Sequence, residues 1–175
     1  MLFAKPGVEN TFETLKIAVI AGKEKGLDIV VATSVGDTVL QLLALAKEID
    51  FTNKIIALTH AYGVDTPGEN ELSAQVRAEL ERRGVTIVTA AHALSGGERG
   101  LSRTFGGVYP VEIVAATLRM FGQGVKVCVE IGMMALDCGS IPFGKPIIAV
   151  GGSSRGADTC CMLTPGYTAK ILDTK

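Results

Sequence analysis

The chain has 175 residues and a formal net charge of −1, from seventeen basic and eighteen acidic side chains; this length fits one domain over residues 1–175 and is too short for a complete (β/α)₈ barrel, which needs at least about 200 residues. Hydrophobic residues make up 47% and aromatics 5%, with no tryptophan, so disorder is excluded and aliphatic and small side chains must build the core, as in a sheet buried between helices. The neutral balance argues against a nucleic-acid partner, which asks for a basic face, and no run approaches eighteen uncharged apolar residues, so no membrane partner is expected either.

The first helix is expected over 11–25. Asn10 and Glu13 stand at capping-box spacing, Phe12, Leu15 and Val19 form one stripe, and Gly26 stops the run. The segments 28–33, 54–59, 85–90 and 146–150 are short apolar runs that do not alternate, as strands buried on both faces read. Helices are expected between them. One runs from Thr38 to Ile49. Another ends near Arg83 and begins with Thr66, Pro67 and Glu69 in N-cap, N1 and N3 positions. Its Leu72, Val76 and Leu80 share one face, and Glu79 and Arg83 pair at i,i+4. The stretch from His92 to Tyr109 has 18 residues and five glycines; it reads as a long loop, and such loops inside compact domains are usually functional. Pro110 opens a helix to Phe121. Segment 122–139 fits a strand or a helix, and the lack of proline with Gly139 at its end favours helix. A short fifth strand is expected at 159–163 and an edge strand at 170–173. The alternation of strands and helices implies an α/β three-layer sandwich with a mainly parallel sheet.

In such a sheet, ligands bind beyond the carboxyl ends of the strands. Four loops qualify: TSVGDT (33–38), HAYGVDTPGE (60–69), HALSGGERG (92–100) and GGSSRGADT (151–159). All carry hydroxyls, glycines or ionisable groups, whereas loops at the opposite edge are ordinary polar turns. TSVGDT combines hydroxyls on Thr33, Ser34 and Thr38 with Gly36, which lets the backbone approach an anion. It also leads into a helix N-terminus, whose N–H groups and dipole favour negative charge. Asp37 either caps that helix or repels phosphate. The loop is neither a Walker A motif nor GxGxxG; it resembles the hydroxyl-rich phosphate loop of flavodoxins.

Arg155 is the clearest cation for a phosphate or carboxylate, unless it braces Asp158. His60 and His92 each follow a strand directly and can act as acid/base near neutral pH or as plain loop hydrogen-bonding groups. Val35, Ala61, Tyr62, Ser95, Gly96, Gly156 and Thr159 complete the candidate ligand-binding set, with no metal site. Glu130 and Asp137, seven apart, share one helical face. The four cysteines, Cys128, Cys138, Cys160 and Cys161, show no zinc spacing and read as buried reduced thiols of a cytoplasmic protein. The start, MLFAKPGVEN, lacks a signal-peptide core.

Together, ENTFETLKIAVIAGKEKGLDIVVATSVGDT, HALSGGERGLSRTFGG and LRMFGQGVKVCVEIGMMALDCG followed later by GGSSRGADT resemble small archaeal and bacterial stand-alone proteins related to the C-terminal (alpha/beta) domain of pyruvate kinase. The resemblance covers nearly the whole chain. It implies that domain's fold, a helix at 123–138, and phosphate contacts from Thr33, Ser34, Gly36 and Thr38. It also implies no pyruvate kinase activity, because the barrel that holds the kinase site is missing, and a family sequence that continues past the position of Lys175. With the apolar and glycine content it suggests a homo-oligomer. Three functions compete: binding of a phosphorylated small molecule, FMN first, with the ring against Val35, Ala61 and Leu94; an enzyme acting on a small phosphorylated substrate through His60 or His92; and a non-catalytic regulatory or assembly module.

Overall fold

A computed structural model describes residues 2–175. After a single 3₁₀ turn, Val8–Asn10, the elements follow in the order α1 (Thr11–Lys25), β1 (Ile29–Ala32), α2 (Asp37–Glu48), β2 (Ile55–Thr59), α3 (Ala74–Arg82), β3 (Thr86–Thr89), α4 (Gly97–Phe105), α5 (Pro110–Arg119), α6 (Gln123–Asp137), β4 (Ile147–Gly151) and β5 (Thr159–Leu163). The five strands form one sheet in the order β3-β2-β1-β4-β5. The first four are parallel, and β5 runs antiparallel to β4 with Ile147 opposite Leu163.

Both faces of the central strands β1, β2 and β4 are covered, which is why these are almost wholly apolar, while the edge strands β3 and β5 are only partly buried. On one face Ile29, Val31, Ile148 and Val150 pack with Leu15, Ala18 and Val19 of α1, Val39 and Leu42 of α2, and Leu80 of α3. On the other, Val30, Ile56, Ile147 and Ala149 pack with Cys128, Ile131, Met134 and Ala135 of α6. Helix α5 lies outside α6, joined through Leu94, Ala115 and Met133. The outcome is the three-layer α/β sandwich expected. The cysteines are free; Cys160 and Cys161 lean on opposite faces of the sheet as strand alternation requires, but Cys138 is exposed rather than buried.

Four local expectations are corrected. Asn10 has helical backbone angles (φ −88°, ψ −4°), so its side chain cannot turn back to cap α1, and its Nδ2 donates to Lys5 O (2.8 Å) instead. Helix α3 starts at Ala74, with Ser73 accepting from Val76 N (3.3 Å). The Thr66–Glu69 stretch closes a turn, Glu69 N to Thr66 O at 3.1 Å, around Gly68, whose φ of +81° is not helical. The glycine-rich 92–109 stretch contains α4. Its glycines mark the helix boundaries, at 96–97 and 106–107, with only Gly100 inside. Finally, Thr168–Asp173 is 3₁₀ rather than an edge strand. Asp137 accepts from Thr168 N (3.2 Å) and from its hydroxyl, which holds the segment in a turn at the end of α6.

Candidate functional site

The chain crosses from one side of β1 to the other between β3 and β4, so the sheet has a topological switch point between β1 and β4. A cleft of about 440 Å³ opens there at the carboxyl ends of the strands. Its walls come from the β1–α2 loop, the end of β2 and the loops that follow β2 and β3, Arg99 of α4, Arg119 of α5, α6 from Gln123 to Met134 and the β4–β5 loop. Helices α2 and α6 both begin at this edge, so two helix N-termini with unpaired N–H groups converge on one cavity.

In the β1–α2 loop, the Thr33 hydroxyl accepts from Gly36 N (3.0 Å), which locks the turn. Gly36 holds φ +104°, and a Cβ there would stand 2.5 Å from Val76 Cγ1 and 3.3 Å from Leu72 Cδ1. Gly36 is therefore required by the turn and by α3 packing; its Cα faces α3 and it does not line the cleft. Ser34, Val35, Asp37 and Thr38 do line it. Asp37 is exposed and its side chain makes no capping hydrogen bond.

His60 and His92 meet across the cleft, with ring centroids 5.3 Å apart and edge-on at 69°. His60 Nδ1 pairs with Glu71 Oε2. The Asn70 side-chain amide donates to His60 O (2.7 Å) and so ties the 60–73 loop over this pair. Burial pushes the His92 pKa below 6.5; the Glu130 carboxylate opposes this, and the charges of His60, Lys126 and Arg99 add to it.

The floor is set by α6. Lys126 and Glu130, only 3% and 4% exposed, form an i,i+4 ion pair among the apolar side chains of α6. Glu130 Oε1 also accepts from Leu94 N (2.8 Å), which anchors the β3–α4 loop to α6. Burial lowers the Lys126 pKa, opposed by Glu130. Taking two charges out of water costs several kcal/mol per ion before their attraction is counted, so this pair marks the cleft as more than a packing defect. Lys126, Glu130, Glu71, Arg99, Arg119 and Gln123 are among the site residues that sequence reasoning missed. The signal for the first was present: a Lys and a Glu four apart, flanked by Val125, Val127 and Val129.

Of the expected set, the structure brings Thr33, Ser34, Val35, Asp37, Thr38, His60, His92, Ser95, Arg155 and Gly156 to the cleft. Gly36, Ala61, Tyr62, Gly96, Asp158 and Thr159 are not part of its wall. Asp158 does not pair with Arg155. Its carboxylate accepts from Gly7 N (3.2 Å), Ser153 N (3.1 Å) and Thr159 Oγ1 (2.8 Å), tying the β4–β5 loop to the N-terminal segment. Arg155, exposed, is left facing the cavity. Glu130 and Asp137 are separated in role, one in the cleft and the other at the far end of α6. Among the described residues, no helix is long and apolar enough to cross a membrane.

Residues 12–163 match the family described as pyruvate kinase, alpha/beta domain, and the chain belongs to that family. The match runs from α1 to the end of β5 and so contains every strand and every wall of the cleft.

Proposed function

We propose that this member of the pyruvate kinase alpha/beta domain family binds a phosphorylated small molecule at the switch-point cleft, with the phosphate on the β1–α2 loop. The observation that carries this reading is convergence. The first turn of α2, Ser34 and Thr38 with their hydroxyls, the first turn of α6 and Arg155 all line one cavity, with Lys126 held by Glu130 in its floor. Phosphate suits that environment because N–H donors, a helix dipole and fixed cations all favour an anion. No pyruvate kinase chemistry is assigned to this domain.

FMN is the ligand placed first. Its phosphate would take the loop. Its ring would lie against the apolar wall of Val35, Leu58, Val127, Ile131 and Met134, in place of the Ala61 and Leu94 suggested by sequence, which are not part of that wall. Tyr62 is 63% exposed and Phe105 76%, and among the described residues no aromatic ring other than the two histidines lines the cavity. Ring stacking therefore contributes less here than aliphatic contact. The test is absorbance near 450 nm of the purified chain, followed by FMN titration read by flavin fluorescence quenching. Saturable quenching, weakened by Ser34→Ala, supports the reading. No quenching, with saturable binding of a sugar phosphate, keeps the phosphate site and removes the flavin.

A second reading is favoured by the His60–His92 contact. Two imidazoles in edge contact, one of them held by a carboxylate (His60 on Glu71), suit acid/base work on a small phosphorylated substrate. Turnover of such a substrate, lost in both His60→Gln and His92→Gln while binding persists, would select this reading over simple binding.

A further inference from the structure

Helix α6 meets β5 along a stripe of three residues spaced four apart, Gly124, Cys128 and Gly132. A Cβ at Gly124 would collide with the side chain of Thr159, and one at Gly132 would stand 3.1 Å from Leu163 Cδ1. The two glycines thus face the two ends of β5, and the helix lies close to the strand at both. Four residues of helix advance about 6 Å and two residues of strand about 6.6 Å, so the two steps match. Cys128, midway between the glycines, is thereby set opposite Cys161, midway between Thr159 and Leu163.

Two further observations agree with this register. Cys128 Sγ lies 3.3 Å from Ala149 O and 3.8 Å from Thr159 O, over the seam between β4 and β5. Ala149 is the residue paired with Cys161 across that seam. Cys128 and Cys161 also share the apolar layer between the sheet and α6, whereas Cys160 packs on the other face.

The pair is asymmetric. Cys128 is fully buried, while Cys161 is partly exposed on an edge strand. A hydrogen bond with Cys128 lowers the Cys161 pKa below its ordinary value, with burial opposing. The same bond, and burial with it, raises the pKa of Cys128. Burial pushes the neighbouring Cys160 thiol up to about 12, with Cys161 adding to the rise. The thiolate is the reactive form of cysteine, which makes Cys161 the attacking sulfur and Cys128 the partner held beside it.

We infer that Cys161 and Cys128 form a hydroperoxide-reactive dithiol, which closes to a disulfide between β5 and α6. The Cys161 thiolate attacks one oxygen of the hydroperoxide; an S–O bond forms and the O–O bond breaks. The sulfur is oxidised to a sulfenic acid, and the departing oxygen takes a proton from solvent and leaves as water or an alcohol. Cys128 Sγ then attacks Cys161 Sγ. An S–S bond forms, the S–O bond breaks, and the hydroxyl leaves as water with the Cys128 proton. The two thiols lose two electrons and the hydroperoxide gains them; a small dithiol reverses the link. The disulfide ties the helix that floors the cleft to the edge of the sheet, and it does not depend on which ligand the cleft holds.

The experiment treats the reduced full chain with one equivalent of hydrogen peroxide and maps its cysteines by mass spectrometry without reduction. An intramolecular Cys128–Cys161 disulfide, reversed by dithiothreitol, is expected in wild type and equally in Cys138→Ser and Cys160→Ser. Cys128→Ala should stop at a Cys161 sulfenic acid, trapped by dimedone, and Cys161→Ala should leave Cys128 reduced. In Cys138→Ser, iodoacetamide should alkylate Cys161 at least about tenfold faster than Cys160, because its thiolate fraction is larger. A disulfide through Cys160 or Cys138, a link formed only between chains, or oxidation confined to the exposed Cys138 overturns the dithiol. Equal alkylation of Cys160 and Cys161 overturns Cys161 as the attacking sulfur. The wild-type map decides the pair by itself, so the test survives a variant that does not fold.

Discussion

Helices α1 and α6 are each 15 residues long and cover opposite faces of the same sheet, yet they are built differently. Helix α1 buries one stripe of Thr11, Thr14, Leu15, Ala18, Val19 and Gly22, and its charges face outward. Helix α6 is buried along most of its length between the sheet and α5, and it carries Lys126 and Glu130 into that interior. A helix that only closes a core has no need of a buried ion pair, since well-packed apolar residues in its place are often neutral or stabilising. The difference separates scaffold from site: α1 holds the sheet, while α6 holds the sheet and supplies the charged floor of the cleft.

The comparison is sharpest when each helix is damaged in turn. Glu130→Ala leaves Lys126 without its partner and Leu94 N without its acceptor; unfolding in denaturant should show a loss of about 3–5 kcal/mol. Leu15→Ala in α1 removes a fully buried side chain, with an expected loss of about 2–5 kcal/mol and no change in ligand affinity for the folded protein. The double change Lys126→Met/Glu130→Leu should cost far less stability than Glu130→Ala alone but should weaken anion binding in the cleft. If it destabilises as much as the single change, the ion pair is structural and the contrast between the helices fails. Ser34→Ala should leave stability nearly untouched and weaken a phosphorylated ligand roughly 10- to 150-fold, the value of one charge-assisted hydrogen bond of about 1.5–3 kcal/mol. Gly36→Val is a test of folding instead, because its new side chain meets Val76 at a positive φ.

The smallest effect is on pH dependence. His92 titrates below 6.5 because of burial, with Glu130 opposing and His60, Lys126 and Arg99 reinforcing. Between the folded-state value and 6.5 the unfolded chain holds a proton that the folded chain does not, so stability falls as pH drops through this window. His92→Gln should flatten that part of the profile. An anion bound in the cleft should move the His92 proton titration upward in an NMR pH series.

Much of the frame was legible in the residues. The apolar runs expected at 28–33, 54–59 and 146–150 are the strands Ile29–Ala32, Ile55–Thr59 and Ile147–Gly151, buried on both faces, and α1 keeps its expected limits because Gly26 stops it, although Phe12 of the expected stripe is exposed and only Leu15 and Val19 are buried. Helix α4 was hidden because glycine count says nothing of whether glycines bound a helix or fill a loop. The start of α3 was hidden because Thr66 and Pro67 have the chemistry of a helix start, while the bonds of Asn70 to His60 O and Leu72 N, set by tertiary structure, hold that stretch as a loop. At the site, position after a strand was enough to find His60, His92 and the β1–α2 loop. It could not find Arg99 and Arg119, which reach the cleft only through the docking of α4 and α5.

The most direct measurement is a crystal structure of the chain grown with FMN. The account predicts the phosphate within hydrogen-bond distance of Ser34 Oγ and of the amide nitrogens at the start of α2, with the remainder of the ligand in the switch-point cleft. A phosphate held elsewhere, or an empty cleft at a ligand concentration that saturates binding in solution, would contradict it.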